Sequence, residues 1–196
     1  MSPKTFIFIG RSGCGKGTQV KNLQEKLKET DPSRNVLYVE TGARFRSFFD
    51  GNSYSSKLAS EVYKTGARQP DFLAVWMWSH IIVDNLKGDE HIIFDGTPRA
   101  LAEAQILDTA MSFYQRKATV VYLNVSREWS EKRMTERKRV DDLRPEEVKR
   151  RLDWFDSDVY PAVEYYSKNP EYGFLDINGE QTVEKVWADI SEHLGL

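Results

Sequence analysis

The stretch Gly10-Arg11-Ser12-Gly13-Cys14-Gly15-Lys16-Gly17-Thr18 most constrains this chain. Before it runs Thr5 to Ile9, a short β-branched and aromatic segment that reads as a buried strand. After it, Val20, Leu23 and Leu27 recur at helical spacing. A glycine-rich turn between a strand and a helix leaves backbone N–H groups free to face phosphate oxygens. The helix N-terminus adds positive potential. Lys16 is placed to neutralise β- and γ-phosphate charge. Gly17 occupies the usual Ser/Thr position, so Thr18 is the hydroxyl available to a magnesium shell. Cys14 reads as a small space-filling residue of the loop.

The rest of the pattern repeats strand and helix. Val36–Val39, Ile92–Phe94, Thr119–Val125 and Phe174–Ile177 are further short apolar runs. Continuous buried strands alternating with helices predict a parallel sheet covered on both faces. The expected class is α/β, a P-loop NTPase-type three-layer fold with a five-stranded parallel sheet. The region 70–86 is apolar nearly all round, which predicts a helix buried on several sides. Val148, Leu152, Phe155, Val159, Val163 and Tyr166 predict one long helix starting near Pro145 and bent by Pro161. Val183, Val186, Trp187, Ile190 and Leu194 form the apolar face of a last helix.

Composition narrows the function classes. The 28 Lys+Arg and 30 Asp+Glu leave a net charge of −2 over 196 residues, which argues against a dedicated nucleic-acid binder. No apolar run approaches the ~18 residues of a membrane span. One cysteine forms no internal disulfide, so a cytoplasmic location is expected. His80, His91 and His193 lack metal-ligand spacing, and Trp76 and Trp78 read as packing residues.

A second signal is Asp95-Gly96-Thr97-Pro98-Arg99 at the end of the third strand. The carboxyl ends of parallel strands are where such sheets bind ligands. A carboxylate there suits magnesium, directly or through water, and Arg99 suits bidentate phosphate binding.

With these segments in order, the sequence resembles the adenylate kinase family of nucleoside monophosphate kinases, of the short-lid type. Gly10 to Gln19 is similar to the family's GxxGxGKGTQ, and Thr41-Gly42-Ala43-Arg44-Phe45-Arg46 to its TGDxLR. Thr65 to Pro70 resembles KGxLVP, and Asp95 to Arg99 resembles DGFPR. Arg139-Val140-Asp141-Asp142 matches RVDD, followed by Arg151-Leu152 and Tyr160-Pro161. The resemblance implies one kinase domain over 1–196, an acceptor-binding helical insertion at 41–71 and a reduced lid at 133–142. It implies that Gly13, Cys14, Gly15, Lys16, Gly17, Thr18 and Arg133 bind ATP. It places Thr41, Gly42, Arg46, Gln69, Gly96, Arg99, Glu103, Arg139 and Arg151 at the acceptor nucleotide. Lys16, Arg99, Arg137, Arg139 and Arg151 would be catalytic. Thr18 and Asp95, with Asp141 and Asp142 toward the lid, would serve the Mg2+ that accompanies ATP.

The implied reaction is reversible phosphoryl transfer from ATP to a nucleoside monophosphate, with AMP first and GMP, CMP or UMP as alternatives. The implied partners are these nucleotides alone, bound by a monomer. Two departures stand out. The segment 133–139 is shorter than in the short-lid branch, so an ATP-binding protein with little transfer is the other alternative. Glu103 stands where the family has a base-reading glutamine, and an ionised carboxylate only accepts hydrogen bonds.

Overall fold

The computed structural model describes residues 2–137 and 144–196. Five strands form one all-parallel sheet in the order β2-β3-β1-β4-β5. They are β1 (Thr5–Gly10), β2 (Val36–Glu40), β3 (His91–Asp95), β4 (Ala118–Asn124) and β5 (Gly173–Asn178). All five expected strands are present, each within two residues of its expected ends.

Alternation along the strands builds two cores. Phe6 and Phe8 of β1, Ile93 of β3 and Val121 and Leu123 of β4 face one layer. There they meet Val20, Leu23 and Leu27 of α1 (Lys16–Thr30) and Val186 and Ile190 of α9 (Val183–Leu194). Ile7, Ile9, Ile92, Phe94, Val120 and Tyr122 face the other layer. It is covered by α4 (Asp71–Asn85), α5 (Leu101–Phe113) and α8 (Tyr160–Lys168). Burying both faces explains why the strands read as unbroken apolar runs.

Between β2 and α4, α2 (Thr41–Phe49) and α3 (Tyr54–Lys64) pack on one another, with Phe49 stacked on Tyr63 at 4.7 Å. Ser53 caps α3 by accepting from the Ser56 N–H at 3.0 Å. After β4 come α6 (Arg127–Arg137) and α7 (Pro145–Trp154). No helix among the described residues is long and apolar enough to cross a membrane.

Two expectations are corrected. The helix α4 is buried on one side only, through Leu73, Met77, Trp78, Ile81 and Ile82. Phe72 and Val83 are 72 % and 69 % exposed, and Trp76 reaches across to Phe48 of α2 and stacks on His80. The apolar composition of α4 therefore overstated its enclosure. The single bent helix is instead split, because a π-helical turn, Phe155–Val159, separates α7 from α8. Pro161 lacks an N–H and sits in the first turn of α8, where none is needed.

Candidate active site

The order β2-β3-β1 sets three chain segments side by side at the carboxyl edge of the sheet: Thr41, Asp95-Gly96 and the loop after Gly10. The loop is shaped by glycine. Gly13 has φ +85°, and a Cβ there would meet the Ser130 carbonyl oxygen and the Met134 side chain at 3.1 Å. Gly15 caps α1 at φ +96°, a conformation that costs an L side chain about 1 kcal/mol or more. Cys14 is buried and turns its side chain into the α1 core, as expected of a filler. The Lys16 ammonium donates to the Gly10 carbonyl at 2.6 Å and to that of Arg11 at 3.0 Å, so it lies within the loop's curve.

Arg11 fastens this loop to the far side of the fold. Its Nε donates to the Val125 carbonyl at 3.1 Å, its guanidinium lies 4.4 Å from the Phe155 ring centre, and Nη1 pairs with Asp156. Arg127 pairs with the same Asp156 at 3.0 Å and with Asp153 at 2.6 Å. Nothing in the sequence pattern marks these partners. They meet only because the π-helical turn carries Phe155 and Asp156 to the loop.

Asp95 ends β3 beside β1 and in register with Glu40 of β2. The Tyr38 hydroxyl donates to Asp95 Oδ2 at 2.9 Å. Burial, then the charge of Asp95, pushes the Tyr38 phenol far above its ordinary pKa, so it remains a donor. The sequence reading missed Tyr38. Its only signal is the two-residue step that puts it on the same strand face as Glu40.

The acceptor-side residues converge through side chains. Thr41 is buried, and its hydroxyl donates to the Gly96 carbonyl at 2.9 Å. Arg99 Nε donates to the same carbonyl at 2.8 Å. Gly96 has φ +76°, and a Cβ there would lie 3.0 Å from Arg99 Nη2. A Cβ on Gly42 would lie 3.5 Å from Arg46 Nη1 and 3.7 Å from Arg99 Nη2, so both guanidinium groups gather over this glycine. Arg46 also pairs with Glu40 at 3.4 Å. Desolvation lowers the Arg99 pKa, opposed by the charges of Glu103 and Asp95 and reinforced by those of Arg151 and Arg46. Several cations held against one another in this way suit a polyanionic ligand.

Gln69 donates through Nε2 to the Ala59 carbonyl at 2.9 Å, while its Oε1 is buried without a hydrogen-bond partner. Arg68, its neighbour, pairs with Asp71 and lies 3.6 Å from Asp158 of the π-helical turn. Arg150 Nη1 donates to the Thr65 carbonyl at 2.9 Å. The 65–71 segment is thus tied to α7 and to the π-helical turn that follows it. Glu103, expected at the acceptor base, is 1 % exposed and accepts hydrogen bonds from its own loop with both oxygens.

On the lid side, Arg133 lies 5.7 Å from the Trp129 ring centre and pairs with Glu136. Arg137 ends α6 and Arg151 lies in the last turn of α7. Arg139, Asp141 and Asp142, with the rest of the second half of the expected lid (138–142), fall outside the described residues. For magnesium, Thr18 in the first turn of α1 and Asp95 at the end of β3 offer hard oxygen donors flanking the loop. Among the described residues, no group of three or more His, Cys, Asp or Glu could hold a metal. Each carries the kind of oxygen donor that magnesium takes, since that ion keeps several waters and needs only one or two protein oxygens beside phosphates.

The family model described as adenylate kinase matches residues 8–171. The adenylate kinase of Flavobacterium psychrophilum is 30 % identical over 192 residues, covering 95 % of this chain and 96 % of the relative. That of Prochlorococcus marinus is 30 % identical over 179 residues, covering 90 % and 92 %. That of Bacteroides thetaiotaomicron is 28 % identical over 192 residues, covering 95 % and 96 %. The parallel sheet, the loop after β1 and matches running nearly end to end all agree: this chain belongs to the adenylate kinase family of phosphotransferases.

Proposed function

We propose that the enzyme transfers the terminal phosphoryl group of ATP reversibly to a nucleoside monophosphate, with AMP as the preferred acceptor, so that ATP and AMP give two ADP. The observation that carries this reading is the row at the sheet edge. The loop after β1, the Asp95 carboxylate ending β3, and a two-arginine cradle of Arg99 after β3 and Arg46 after β2 lie side by side there. Donor phosphates belong on the loop, between Gly13 and Thr18, with Arg133 beside the ATP. The acceptor phosphate belongs between Arg46 and Arg99 above Gly42, and the acceptor nucleotide extends over the 41–71 insertion past Thr41, Gly96 and Gln69.

Such a reaction brings several negative charges together and needs little covalent help from the protein. The contribution of Lys16, Arg99, Arg137 and Arg151, with Arg139 from the lid, is to hold donor and acceptor in line and to stabilise spreading charge. Thr18 and Asp95 would hold the magnesium, which when bound offsets charge on the ATP phosphates. Tyr38 keeps Asp95 oriented for that duty. AMP is favoured as acceptor because the relatives that match nearly end to end are named adenylate kinase and because Thr41 resembles the residue of the adenine-selective members.

The test is diphosphate production from magnesium-ATP with AMP, dAMP, GMP, CMP, UMP and dTMP in turn. AMP is expected to give the highest kcat/KM. No turnover with any monophosphate overturns the kinase reading, and a preference for another base overturns the assignment to AMP.

A further inference from the structure

Glu103 has a duty that its position in the family pattern does not indicate. It lies in the first turn of α5, whose N-cap, Ala100, has no side chain able to satisfy an exposed N–H. The carboxylate reaches back instead. Oε2 accepts from the Arg99 backbone N–H at 2.6 Å, and Oε1 accepts from the Thr97 hydroxyl at 3.1 Å. One buried carboxyl group thus grips the chain on both sides of Pro98, in the segment from which Arg99 springs. The Arg99 side chain is held at a third point, by its Nε on the Gly96 carbonyl. Burial raises the Glu103 pKa, opposed by the hydrogen bond from the Arg99 N–H and by the Arg99 charge.

We infer that Glu103 is a positioning residue: it fixes the Thr97–Arg99 loop so that Arg99 meets the acceptor phosphate, and it does not read the base. The assignment rests on the acceptor role proposed above for Arg99. Three observations favour it over base reading. Both oxygens already have donors from the same loop. The side chain is almost fully enclosed. Its second partner is the hydroxyl of Thr97, which stands where the DGFPR pattern has phenylalanine, so a hydroxyl and a carboxylate arrive together. A residue that sets phosphate geometry affects every monophosphate alike, whereas a base reader affects them unequally.

The experiment compares wild type with Glu103→Gln, Glu103→Ala and Thr97→Val. Glutamine can accept from the Arg99 N–H through Oε1 and donate to the Thr97 hydroxyl through Nε2, so Glu103→Gln is expected to keep kcat/KM within about threefold. Glu103→Ala frees the loop. A misplacement of that kind costs on the order of 10- to 100-fold in kcat/KM. The loss should fall equally on AMP, CMP and GMP, while the KM for ATP stays within about twofold. Thr97→Val should show the same pattern more weakly. A change in the ranking of the bases in Glu103→Gln overturns the inference, as does a Glu103→Ala loss confined to one base. Amide hydrogen exchange gives a readout that does not depend on turnover. The Arg99 N–H should be protected in wild type and in Glu103→Gln, and should exchange at least tenfold faster in Glu103→Ala. Equal exchange in all variants overturns the inference. An inactive wild type with a protected Arg99 N–H would instead overturn the kinase reading and leave Glu103 as the anchor of this loop. Should Glu103→Ala fail to fold, the Glu103→Gln and Thr97→Val results still decide.

Discussion

The loop after β1 and the Arg46–Arg99 cradle, proposed above to bind the same chemical group, are built by different means. The loop from Gly10 to Thr18 is backbone-built, and its lysine is held by carbonyls five and six residues away. The cradle is made of side chains that hold one another across long separations. Thr41 bonds Gly96, Arg68 reaches Asp158 and Arg150 reaches Thr65. A binding surface built from local backbone is specified by a short stretch of residues. One built from tertiary contacts is specified by the whole fold.

Damage should therefore stay local on the donor side and spread on the acceptor side. The largest effect is expected from Lys16→Met. It removes the loop's one ammonium and should cut kcat by about 10²–10³-fold, if Lys16 acts like other preorganised charge stabilisers. Thermal unfolding should barely change, and a large drop in Tm would show that Lys16 serves the fold as well.

Gly96→Ala should come next. It strains a φ of +76° and crowds Arg99 Nη2 at 3.0 Å. The KM for the monophosphate should rise about tenfold, corresponding to ~1.4 kcal/mol, with ATP affinity unchanged. Equal effects on both substrates would erase the distinction between the two regions.

A phenol lies near each region, half-buried Tyr38 on β2 and buried Tyr122 on β4, next to β1. Tyr38 lies beneath the cradle, raised by burial and then by Asp95. Tyr122 lies on β4, raised by burial to about 12. A raised folded-state pKa contributes stability that is fully present below the unfolded value near 10 and is lost as pH rises through the folded value. Unfolding free energy should thus fall from about pH 10 upward. Tyr122→Phe should make this decline shallower in denaturant titrations taken from pH 9 to 12, and an unchanged slope would refute the assignment.

The smallest effect concerns Glu40, which pairs with Arg46 at 3.4 Å at the solvent side of the cradle. Glu40→Gln should lower the KM for the monophosphate by about two- to threefold at low salt, since exposed pairs contribute at most ~1 kcal/mol. A raised KM would mean that the carboxylate positions Arg46 rather than competing with the phosphate.

What was legible in the sequence follows the same division. The five strands and the loop could be read because each depends on a few adjacent residues. The helix α4 was misjudged because composition does not say which side meets the sheet, and Phe72 and Val83 proved exposed. The split between α7 and α8 depends on a π-helical turn whose register no spacing rule foretells. Tyr38, Thr97 and the Arg11–Asp156 pair gain their meaning only from partners that the fold supplies. Glu103 departs visibly from the family pattern, yet its hydrogen-bond partners depend on the backbone path around Pro98.

The strand order β2-β3-β1 has an evolutionary consequence. The loop hangs from β1 alone, whereas the cradle hangs from β2 through Arg46 and from β3 through Arg99. Mutations after β2 and β3 can reshape the proposed acceptor side without touching the proposed donor loop. Lineages built on this sheet can thus diversify in what they phosphorylate while inheriting the donor loop intact.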